Sequence, residues 1–150
     1  MKKWLSFFII VLLLLLLMVC CNRRTVYPLS QDYKDIVRIE IVEIDNYRIV
    51  SKGYFDMIKS VVTLNAADYD SFLSEFHDVP CQKSLGPSQE CIEGRAVRFT
   101  YSDGAFELIS AESGFYCSAN RDWSYPAYYF DYNQFNSFIS SVILEQSRIQ

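Results

Sequence analysis

From Trp4 to Cys21 the chain carries no charge and a single hydroxyl, that of Ser6, behind a start of Met1, Lys2 and Lys3. A helix apolar on every side needs apolar surroundings on every side, which the core of a small globular domain does not offer. At 1.5 Å rise per residue the run reaches roughly 27 Å, close to the ~30 Å hydrocarbon core of a bilayer. The segment is therefore expected to meet a membrane, and it divides the 150 residues. Residues 1–21 are the signal or anchor, and 22–32, polar and without periodicity around Pro28, read as a tether. Residues 33–150 make one domain of about 120 residues, an ordinary size for a single core.

The end of the run, Leu17-Met18-Val19-Cys20-Cys21, resembles the lipobox of small bacterial surface lipoproteins, in which a cysteine after an apolar stretch is lipidated and becomes the mature N-terminus. The family pattern wants a small residue before that cysteine. Cys21 meets this with Cys20 ahead of it, whereas Cys20 would follow the bulkier Val19; Cys21 is the preferred acceptor and Cys20 the alternative. The resemblance covers the first 21 residues and implies a domain held at the membrane on its extracytoplasmic side, at the cell surface or facing the periplasm. An uncleaved transmembrane anchor helix, flanked by Lys2 and Lys3 on one side and Arg23 and Arg24 on the other, gives the same address.

Without Lys2 and Lys3 the 14 basic residues fall to 12 against 18 acidic ones, a formal charge near −6. Nucleic acid as a partner is excluded on that ground, since phosphate binding needs an excess of Lys and Arg. Outside the cytoplasm a disulfide can persist. Cys81 and Cys91 bracket a segment that Gly86-Pro87 can reverse, and closing that ring contributes about 2.8 kcal/mol by chain entropy, against about 3.8 for Cys81 with Cys117. The turn favours Cys81 with Cys91; Cys117 then keeps its thiol on a strand.

Asp35 to Ile44 alternates, with Val37, Ile39 and Ile41 on one side and Arg38 and Glu40 on the other, as in a half-buried strand. Asp45-Asn46 reads as a two-residue turn into a returning arm at Tyr47 to Ser51, and Tyr54 to Leu64 as a further strand with its surest part at Ile58 to Thr63. The period then becomes helical: Asn65 caps, Tyr69, Phe72, Leu73 and Phe76 form a stripe, and Pro80 stops the helix near His77. Gly94 to Tyr101, Ser102-Asp103-Gly104 and Ala105 to Ala111 form a hairpin, Phe115 to Ser118 a strand and Asn120 to Pro126 a loop. Tyr128 to Phe130 can pair briefly before a second helix, capped by Asp131 and Gln134, that carries Phe135, Phe138, Ile139, Val142 and Ile143. The order predicts an α+β fold, an antiparallel β-sheet with two amphipathic helices packed on one face.

Chemistry is sparse in this pattern. The one histidine, His77, sits at a helix end with no nucleophile motif beside it; no catalytic residue, metal site or cofactor is expected, since a lone His without clustered Cys gives zinc no ligand set and the five glycines form no phosphate loop. Ten of the 24 residues from Phe115 to Phe138 are aromatic. Trp123, Tyr125, Tyr128, Tyr129 and Tyr132 lie outside the helical stripe and are the candidate ligand-binding residues, because such rings bury much area at little entropic cost. The expected function is non-catalytic binding of an envelope protein or glycan. The alternatives are an envelope hydrolase using two of Asp103, Glu107, Glu112 and Asp122, and a structural subunit of a surface complex.

Overall fold

The alternation that begins after Asp35 becomes strand β1 (Ile36–Arg48), the element around which the computed structural model is organised. Residues 8–12, 25–48, 58–83, 91–120, 122–124 and 128–149 are described, with the backbone alone at 45–48, 91–93, 123 and 149. After β1 come β2 (Ile58–Thr63), helix α1 (Tyr69–Asp78), β3 (Cys81–Lys83), β4 (Cys91–Tyr101), β5 (Phe106–Ser110), β6 (Gly114–Cys117), β7 (Trp123–Ser124), β8 (Tyr128–Phe130) and helix α2 (Tyr132–Ile149). The main sheet runs β2-β1-β4-β5-β6-β7 with every pairing antiparallel, and β3 pairs with β8 in a second, two-stranded sheet. This is the α+β architecture expected from the order of the elements.

Both helices cover the same face. Ile39, Ile41, Val97, Phe99 and Ile109 of the sheet share one core with Phe72 and Phe76 of α1 and Phe135, Ile139 and Val142 of α2. Phe76 stands at its centre, with ring centroids 5.4 Å from Phe99, 5.5 Å from Phe130 and 6.2 Å from Phe72. Pro80 follows α1 as expected, and the Gln134 N–H donates to Asp131 Oδ1 at 2.9 Å to cap α2.

Several local readings change: Asn65 makes no side-chain cap and α1 starts after Asp68, and Val37, placed with Ile39 and Ile41, is exposed. Asp45-Asn46 is not a turn: β1 runs on to Arg48 against Cys91, and a register shift between Ile44 and Tyr47 absorbs the extra residues as a bulge. The expected loop from Asn120 contains β7, paired to β6 through Cys117 and Trp123. Glu40, expected to face water, is 1 % exposed. Packing onto the domain begins at Thr25, ahead of the expected Tyr33: Thr25 bridges Cys81, and the Tyr27 ring is buried and stacked on Phe130 at 5.5 Å.

Cys81 and Cys91 stand in different sheets. Cys81 keeps its thiol, buried, with Sγ donating to the Thr25 carbonyl at 3.0 Å, and burial pushes its pKa up to about 11. The Cys91 side chain, the Gly86-Pro87 segment, Cys20 and Cys21 lie outside the described residues. Residues 8–12 are helical, with Phe8, Ile9, Ile10, Val11 and Leu12 exposed. Among the described residues no helix is long and apolar enough to cross a membrane.

Candidate functional site

The sheet face turned away from the helices is where unsatisfied polar chemistry collects. Because side chains alternate along each strand, β1 presents Glu40 and Val42 here, β4 presents Ala96, Arg98 and Thr100, and β5 presents Phe106 and Leu108. Val42, Ile44, Ala96, Leu108, Phe115 and Cys117 form a second buried cluster with Ile58 and Phe106 against it. Glu40 enters this apolar ground held by two guanidinium groups, Arg38 Nη2 at 2.9 Å from Oε1 and Arg98 Nη2 at 2.7 Å from Oε2. The second contact is an ion pair without hydrogen-bond alignment, since Oε2 has no hydrogen-bond partner among the described residues. Two positive charges against one carboxylate leave this cluster cationic within a chain that is acidic as a whole.

Beside it opens a pocket of about 440 Å³ lined by Ile58, Arg98, Thr100, Phe106, Cys117 and Ser118, reaching the β4–β5 turn at Gly104. That volume lies in the ~300–1,000 Å³ range of small-molecule sites. Arg98 Nε and Thr100 Oγ1 are buried and have no hydrogen-bond partner among the described residues. A buried donor left unmade costs roughly 1–3 kcal/mol. Both donors belong to residues of the pocket wall, and apolar Ile58 and Phe106 complete it. The arrangement suits a small ligand that brings a hydrogen-bond acceptor against an apolar body.

The described residues among the aromatics chosen from sequence fall on three elements. Trp123 is on β7, in backbone register with the pocket residue Cys117. Tyr128 and Tyr129 belong to β8 in the other sheet, where Tyr128 packs edge-on against Tyr27 at 5.7 Å and Tyr129 is 41 % exposed. Tyr132 opens α2 and is 61 % exposed; Tyr125 lies outside the described residues.

The candidate carboxylates do not gather either. Glu107 is fully buried on the helix-covered face and accepts four hydrogen bonds, from Tyr27 Oη and Tyr101 Oη at 2.9 Å each, Ser30 N at 3.0 Å and Ser30 Oγ at 3.1 Å. Burial holds its carboxyl above the ordinary range, although those four bonds pull the other way; burial followed by the neighbouring Glu107 charge also raises the Tyr27 and Tyr101 hydroxyls. Asp103 caps the β4–β5 turn by accepting from the Ala105 N–H at 2.8 Å, while Glu112 and Asp122 are exposed. His77 is exposed in the last turn of α1. Among the described residues no group of three or more His, Cys, Asp or Glu side chains could hold a metal ion. Sequence reasoning missed Arg98 and Thr100, whose one signal was polarity on a strand assumed to face water.

Compared with family models, curated proteins and solved structures, the chain finds no match among any of them.

Proposed function

We propose that this chain is a membrane-tethered, extracytoplasmic binding domain that takes its ligand in the open-face pocket and performs no chemistry on it. The tether rests on the Trp4 to Cys21 run with its lipobox-like end and on the exposed apolar side chains of the helical residues 8–12, which suit lipid better than water. The observation that carries the binding reading is the pair of buried donors, Arg98 Nε and Thr100 Oγ1, which have no hydrogen-bond partner among the described residues and belong to two residues lining the pocket. Buried polar atoms are almost always satisfied, and those that are not call for a role. A guanidinium and a hydroxyl recognise a carboxylate or carbonyl oxygen such as envelope peptides and glycans carry.

The test uses one substitution that separates binding from folding. Thr100→Val keeps the shape and removes the unpaired hydroxyl, so the melting temperature should hold or rise. Retention of cell-wall glycan fragments or of solubilised envelope proteins on the immobilised full-length chain in detergent should meanwhile drop about tenfold, the equivalent of ~1.4 kcal/mol. If Thr100→Val and Phe106→Ala both leave retention unchanged, the pocket is not the site.

A further inference from the structure

The first residue fixed to the domain is Thr25, whose N–H donates to the Cys81 carbonyl at 3.0 Å and whose carbonyl accepts from the Cys81 N–H at 3.4 Å. Cys81 in turn pairs with Phe130. Three neighbouring strand lines at ~4.8 Å spacing put Phe130 about 10 Å from Thr25. Only Asn22, Arg23 and Arg24 separate Thr25 from Cys21, where the apolar run ends. Four steps of fully extended chain reach about 14 Å at most, whether Cys21 is a lipidated N-terminus or the last residue of an anchor helix. Thr25, at the edge of the β3–β8 sheet, is therefore held within about 14 Å of the end of the apolar run.

That end carries exposed apolar and aromatic side chains: Val26 is 51 % exposed, Tyr129 41 % and Tyr132 61 %. The Tyr129 hydroxyl donates to Gln82 Oε1 at 2.8 Å, so the polar tip has a partner while the ring remains accessible. Tyrosine, apolar in its ring and polar at its tip, is enriched at the headgroup level of bilayers. Resting on the reading of residues 1–21 as a membrane segment, we infer that the β3–β8 end is docked in the headgroup layer of the phospholipid bilayer that holds the chain, through Val26, Tyr129 and Tyr132.

The same segment also reaches the β4–β5 turn. From Thr25 the chain runs on until the Asp35 carbonyl accepts from the Ser102 N–H at 2.8 Å and Gln31 Nε2 donates to Asp103 Oδ2 at 3.0 Å, both at the β4–β5 turn. Tyr33, 53 % exposed, opens the short 3-10 turn that ends at Asp35, beside the β4–β5 turn and outside the β3–β8 sheet.

Hydroxyl-radical footprinting of the full-length chain in phosphatidylcholine–phosphatidylglycerol vesicles tests this, with Tyr33 as the internal control. Tyr129 and Tyr132 should oxidise at least about threefold more slowly than Tyr33, because rings in the headgroup layer are shielded from aqueous radicals. A spacer of fifteen Gly and Ser residues inserted between Arg24 and Thr25 has an r.m.s. length of ~20 Å and should reduce that protection while the melting temperature is kept. If the chain floats with the vesicles and all three tyrosines oxidise alike, docking is wrong and the membrane reading stands. If the chain does not float, the membrane reading itself has failed. Protection in native membranes but not in pure lipid vesicles overturns lipid docking in favour of a protein occupant.

Discussion

Two carboxylates are buried on opposite faces of one sheet, and the chain accommodates them by different means. Glu40 is neutralised by Arg38 and Arg98; Glu107 has no ion pair among the described residues and is held by hydroxyls and a backbone N–H. Such neutral donors offset only part of the cost of removing the charge from water. The folded-state pKa of Glu107 is raised above its ordinary value of 4.5, so across the interval between the two values the native state holds the proton more tightly than the unfolded chain. Its contribution to stability is complete below the ordinary carboxylate range and is lost as pH rises through the raised value. Urea unfolding between about pH 4 and 8 should show the wild type losing stability relative to Glu107→Gln as pH increases. A difference that stays flat across the series would mean that Glu107 ionises normally. Alternation put Glu40 opposite Ile39 and Ile41 and so toward water, because period two reports which face a side chain takes and not whether that face is covered. Arg98 and Thr100 escaped notice for the same reason.

The elements best read from sequence are those whose signal is local. Asp103-Gly104 makes its turn because Gly104 adopts φ +85, open to glycine and unfavourable for other residues. A Cβ there would meet no atom within 4 Å, so Gly104→Ala should cost about 1–2 kcal/mol from backbone strain alone, with Gly104→Asn costing less; equal urea midpoints for all three chains would refute the account. The helices were legible for similar reasons, through the Asp131 cap and the stripes ending in Phe76 and Ile143. Asp45-Asn46 misled because bulge and turn share residue preferences, and only the continued pairing of β1 with β4 distinguishes them. Strands β3 and β7, three and two residues long, are too short for periodicity to register. They are set by their partners, Phe130 and Cys117, which are distant in sequence or separated by a loop.

At the scale of the whole molecule, the segment read as a tether from 22 to 32 becomes part of the domain from Thr25 onward. Its polarity and Pro28 suggested a linker, yet Tyr27 and Ser30 supply three of the four hydrogen bonds to Glu107, and the Tyr27 ring contacts Phe76, Tyr128 and Phe130. One buried tyrosine among polar neighbours gives no periodic signal, so composition outweighed it. A chain beginning at Tyr33 would lose an aromatic side chain from the core, at about 3–5 kcal/mol, and leave a buried carboxylate with Tyr101 as its remaining donor, a further cost of ~1–3 kcal/mol or more. Together these approach the ~5–15 kcal/mol that holds a domain of this kind. A chain beginning at Thr25 keeps every one of these contacts and, freed of the apolar run, should stay in solution and melt cooperatively. The two chains, expressed side by side and followed by near-ultraviolet circular dichroism, should differ sharply: fixed aromatic signals and a single transition for the Thr25 start, neither for the Tyr33 start. A cooperative transition at the same temperature in both would show that the segment is a tether after all. It would also remove the anchoring point at Thr25 from which the orientation on the membrane follows.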